Sequence, residues 1–101
     1  DLGWDAVYGT DAYYAEHPVL SEELVERLVA ACVKLVGVDL PSPDQAPFRV
    51  HKQLLSSGVL IVENLRGLEA LLDRERIRFF AFPLALRADS SPVRAVAEVE
   101  D

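Results

Sequence analysis

At 101 residues, half of them hydrophobic and 27% charged, the chain suits a single globular domain with a modest core rather than a disordered segment. A net charge of −7 argues against nucleic acid and against an anionic membrane surface, because few Lys and Arg are available to meet phosphate. These residues contain no apolar run long enough to span a bilayer and no signal-peptide pattern, and a single cysteine excludes an internal disulfide, so a cytoplasmic setting is expected.

In chain order, the first twenty residues are aromatic-rich and broken by Gly3, Gly9 and Pro18. They predict the tail of a strand over 2–4 and then a long loop carrying Trp4, Tyr8, Tyr13 and Tyr14. Such aromatics pack beneath a loop, face a subunit interface or line a substrate pocket. A helix follows, with Ser21 as N-cap and Glu22 and Glu23 at the positive end of its dipole. Leu24, Val25, Leu28, Val29 and Cys32 form one apolar stripe at helical spacing, which predicts Cys32 to be a small buried hydrophobe.

Residues 34–38 read as a strand apolar on both faces and ending at Asp39, with Gly37 marking the close approach of a backbone or ligand. Three prolines make 40–47 a loop. A short helix over 48–57, with Val50, Leu54 and Leu55 on one side, stops at Gly58. Residues 59–63 form a second buried strand, and 65–72 a helix or helical turn. A Phe-rich strand over 77–86 has Pro83 at an edge or bulge. After a polar turn, Val93, Ala95, Ala97 and Val99 alternate on one face of a last strand. No internal repeat or domain boundary stands out.

Strand, helix, strand makes a βαβ unit, so 34–38 and 59–63 should be parallel neighbours joined by a right-handed crossover. Each apolar run ends in an acid, Asp39 or Glu63, at the carboxyl edge where ligands collect in parallel sheets. His51 lies three and four residues before Leu54 and Leu55, so its imidazole should face the protein and need a partner. His51 and Glu63 could hold a metal at about 2.0–2.2 Å, but zinc takes at least three protein ligands and few others are at hand. The alternative is a core histidine satisfied by an ordinary hydrogen bond. His17, before a proline, reads as loop punctuation. Ser56 and Ser57 sit at a helix end rather than in a nucleophile elbow, and neither a phosphate loop nor a glycosidase pair of carboxylates is present.

A set of segments in fixed order carries a resemblance: Gly3-Trp4, Tyr8-Gly9-Thr10, His17-Pro18-Val19-Leu20-Ser21, Val36-Gly37-Val38-Asp39 and Pro41-Ser42-Pro43-Asp44. They continue as His51-Lys52-Gln53-Leu54-Leu55, Ile61-Val62-Glu63-Asn64-Leu65, Phe79-Phe80-Ala81-Phe82-Pro83-Leu84 and Ser91-Pro92-Val93-Arg94-Ala95-Val96-Ala97. Together they resemble the C-terminal half of the cyclase family, which includes bacterial kynurenine formamidases (arylformamidases) and isatin hydrolase. The resemblance implies an α/β fold of the swivelling β/β/α type with a mixed sheet. It makes His51 and Glu63 metal ligands and Asp39 and Ser42 candidate outer partners of them. It offers Trp4, Tyr8, Tyr13 and Tyr14 as walls of a substrate pocket or a contact between subunits.

In that family the other ligands and the general-base histidine come from a His-x-Gly-Thr-His-x-Asp-x-Pro-x-His motif, which this sequence lacks. No catalytic residue is therefore expected in this stretch. With no methionine and Asp1 as its first residue, the chain is expected to be the C-terminal part of a longer enzyme. Cys32 stands where a glycine is common in the family, and Ala88-Asp89-Ser90-Ser91 replaces a more Gly-rich turn.

The function implied is hydrolysis of an amide or a cyclic amide or ester, as in the conversion of N-formylkynurenine to kynurenine and formate within tryptophan catabolism. Water activated by a divalent metal would attack the carbonyl, with Zn expected and Mn or Mg the alternatives. The implied partners are a small-molecule substrate and further copies of the chain, as a dimer or tetramer. The reading from a different class is a non-catalytic scaffold or subunit module that lacks the first ligand set.

Overall fold

The computed structural model describes residues 1–100. The chain forms two compact units, Asp1–Leu68 and Glu69–Asp101, where the sequence shows no boundary. Helices are combined with one parallel and one antiparallel strand pair, an α/β fold. No helix among the described residues is long and apolar enough to cross a membrane.

In the first unit, the expected strand tail and long loop are instead helical. A 3₁₀ turn spans Trp4–Val7, and a short helix, α1, spans Asp11–Ala15. The aromatics explain the difference, since burying Tyr13 completely gives this segment a core contact that its sequence period does not advertise. The Trp4 indole N–H donates to the Tyr13 carbonyl at 3.1 Å, and the Tyr13 ring meets Tyr8 and Tyr14 edge-to-face. Tyr8 and Tyr14 themselves are exposed.

Helix α2, Glu22–Ala30, begins as the sequence predicts, with the Ser21 hydroxyl accepting the Leu24 N–H at 3.1 Å. Only Val25 of its stripe is fully buried, while Leu24 is exposed. Cys32 departs from expectation: the helix ends before it, its φ is 58°, and the thiol is exposed. The stripe had assumed two more helical residues. A residue in the left-handed region instead turns the chain toward the next strand, the conformation that favours glycine.

Strands β1 (Leu35–Gly37) and β2 (Leu60–Val62) pair in parallel, with Leu35 opposite Leu60, Val36 opposite Ile61 and Gly37 opposite Val62. Between them, α3 spans Arg49–Ser56 and ends in a Schellman motif. Val59 N–H bonds the Leu54 carbonyl at 2.9 Å and Gly58 N–H the Leu55 carbonyl at 3.1 Å, with Gly58 at φ 76°. Val25, Val50, Leu54 and Val59 form the core, and Leu20, Val29, Val33, Val36 and Ile61 pack around it.

Three expectations change here. Leu55 is 55% exposed, so the buried side of α3 is Val50 and Leu54 alone. The strand pair is covered on one face throughout but only in part on the other, where Leu60 is 63% exposed. On that second face, what approaches Gly37 is the Leu65 side chain rather than a backbone or a ligand. Its Cδ1 lies 2.7 Å from where a Cβ on Gly37 would be.

A 3₁₀ turn at Leu68–Leu71 occupies the segment expected to be helical. In the second unit, β3 (Ile77–Pro83) and β4 (Val93–Val99) form an antiparallel hairpin in register from Ile77 opposite Val99 to Pro83 opposite Val93. Pro83 is the last residue of β3, so the strand stops there instead of running on to 86 as expected. Phe80 and Phe82 stack at 6.0 Å on one face of the hairpin, and none of the unit's described residues is buried.

Candidate functional site

His51 and Glu63 come from different elements and meet. His51 is in the first turn of α3, and Glu63 directly follows β2. Glu63 is fixed by the backbone on either side of it. The Val62 carbonyl accepts Val38 N–H at 2.9 Å, Asn64 N–H reaches the Leu40 carbonyl at 2.8 Å, and Leu65 N–H reaches the Val38 carbonyl at 3.0 Å. Asn64, at φ 60°, accepts the Tyr13 hydroxyl on its Oδ1 at 2.8 Å. Burial, followed by the neighbouring Tyr14, Tyr8, Asp39 and Asp5, pushes the Tyr13 phenol above its ordinary range, so it stays a protonated donor.

His51 Nε2 lies 3.1 Å from Glu63 Oε1. The opposite ring nitrogen, Nδ1, lies 2.5 Å from Asp44 Oδ1. The other Asp44 oxygen accepts the backbone N–H of Val50 at 2.8 Å and of His51 at 3.2 Å. The sequence reading treated Asp44 as part of a proline-rich loop and missed it. The available signal was a helix that starts at Phe48 without a capping side chain while an acid sits four residues upstream. Asp44 reaches over that gap and satisfies two N–H groups at the helix start.

The imidazole is thus held between two carboxylates, with side chains 26% exposed for His51, 33% for Glu63 and 8% for Asp44. Carboxylates accept hydrogen bonds and do not donate them, so a neutral ring can serve only one of the two. The gap between Nε2 and Oε1 is one that a shared proton or a metal ion could bridge. The donor set fits a divalent metal, since one imidazole nitrogen and one carboxylate oxygen 3.1 Å apart can both lie about 2.0–2.2 Å from one ion.

The other predicted residues lie elsewhere. The Ser42 hydroxyl accepts Asp44 N–H at 3.3 Å, so it touches the site through Asp44. Asp39, 1% exposed, accepts Leu2 N–H at 2.9 and 3.2 Å and engages the N-terminal segment rather than the imidazole. It lies near Asp1 and Asp5, with one carboxylate oxygen from each residue within 4.8 Å of the others. His17 is buried, not merely punctuation, with Nδ1 2.8 Å from the Pro18 carbonyl. Of the aromatics, Tyr13 is core and Trp4 is tied to it, while Tyr8 lies under the Arg66 guanidinium at 5.0 Å.

Comparison with known sequences shows what the chain is similar to. Residues 1–45 match the family model described as "Putative cyclase". An uncharacterized protein of Methanocaldococcus jannaschii is 30% identical over 96 residues, covering 94% of this chain and 50% of that protein. Kynurenine formamidases of Bacillus cytotoxicus and Bacillus mycoides are 40% and 39% identical over 83 residues, covering 78% of this chain and 39% of each enzyme. The chain is similar to these cyclase-family proteins, and it spans half or less of the length of the relatives it matches.

Proposed function

We propose that the chain supplies part of the active site of a metal-dependent hydrolase that cleaves an amide, or a small cyclic amide or ester. N-formyl aryl amines are the leading substrate class, in keeping with the kynurenine formamidases among its relatives. One observation carries the metal part of this reading: His51 Nε2 faces Glu63 Oε1 at 3.1 Å while Asp44 holds the other side of the ring.

His51 and Glu63 would hold the ion, and zinc suits the mixed nitrogen and oxygen donors, with Mn or Mg as alternatives. Bound there, a divalent ion supplies Lewis-acid chemistry. In the hydrolysis, the hydroxyl of water joins the formyl carbon, the C–N bond breaks, and the amine nitrogen takes the proton. The general base is not assigned to any residue of this chain. With side chains 26% and 33% exposed, His51 and Glu63 are partly open to water.

The test is metal analysis and hydrolysis of an N-formyl aryl amine by the intact protein. His51→Ala and Glu63→Ala should each lower metal affinity and activity by more than the roughly 10–100-fold typical of losing an outer partner. Full metal content and activity in both variants would refute the assignment.

A further inference from the structure

We propose that Asp44 is a positioning residue that fixes both the proton and the plane of the His51 ring, leaving Nε2 as the nitrogen presented to a metal. The proposal rests on the metal reading above. Asp44 Oδ1 accepts from Nδ1 at 2.5 Å, so Nδ1 carries the proton and the Nε2 lone pair is left for the ion. The same carboxylate cannot drift, because its Oδ2 is held by Val50 N–H and His51 N–H, and it is nearly buried. Ser42 Oγ accepts the Asp44 backbone N–H and steadies the loop behind it. One side chain therefore ties the start of α3 to the orientation of the ring that α3 carries. A negative group at a helix N-terminus is also favoured by the helix dipole.

Asp44→Asn separates the two jobs. An amide oxygen still caps the helix, while an amide nitrogen turned to the ring would donate to Nδ1 and move the ring proton to Nε2. In the intact protein, zinc competition against a chromophoric chelator should show affinity falling by about 10–100-fold. In the metal-free protein, ¹⁵N shifts of the neutral His51 ring should show the proton on Nδ1 in the wild type and on Nε2 in the variant. A double-mutant cycle removes the structural alternative: in a His51→Ala background, Asp44→Asn should cost no further zinc affinity. An undiminished further loss there, or an unchanged tautomer in the single variant, overturns the proposal. If His51→Ala itself leaves zinc affinity unchanged, the metal reading fails, and the tautomer measurement alone then decides the role of Asp44.

Discussion

At the scale of single residues, two positions carry a backbone or packing demand that chemistry alone can state. Cys32 sits at φ 58° with an exposed side chain, so it bears the left-handed penalty without the return of burial. Cys32→Gly should raise stability by about 1 kcal/mol in urea unfolding, since a β-carbon in this region costs roughly 1–2 kcal/mol and glycine returns part of that in chain entropy. Leu54 is fully buried among Val25, Val50 and Val59. Leu54→Ala should cost about 2–5 kcal/mol by the same measurement, through lost transfer energy plus the cavity left behind. That variant removes core from under α3, so it should also loosen the hold on His51, which lies one turn earlier on the same helix.

At the scale of elements, the hydrogen bonds that start and stop each helix mark where the sequence was readable. Ser21 caps α2 from its own N-cap position, and Ser21→Ala should lower stability by about 1 kcal/mol in thermal or urea unfolding. Gly58 stops α3 as the sequence announces. The cap of α3 was missed, because it arrives from Asp44 across Ala46 and Pro47, and pattern rules look at the adjacent residue. The parallel pairing of β1 and β2 followed from two apolar runs joined by a helix, and with it the meeting of His51 and Glu63. The N-terminal helices were hidden for the opposite reason. Their order comes from Tyr13 reaching Asn64, a contact across 51 positions with no local signature. Cys32 and Leu55 were misread because a periodic stripe says which residues share a face but not where that face ends or how far the core extends.

At the scale of the whole molecule, the core is concentrated in the first unit, while the β3–β4 hairpin has no buried residue among those described. A two-stranded hairpin has little stability of its own in water. In hydrogen exchange on this 101-residue chain, amides of β3 and β4 should exchange well before those of α3. The site belongs entirely to the better-packed unit, with His51 on a helix anchored by Val50 and Leu54 and Glu63 on a strand end clamped by Val38 and Leu40. The central claim is that His51 and Glu63 form a place for a cation, and zinc affinity of the intact protein measured with and without Glu63→Gln tests it most directly. The account predicts that this near-isosteric loss of one charge weakens zinc binding by more than about tenfold, whereas unchanged affinity would contradict it.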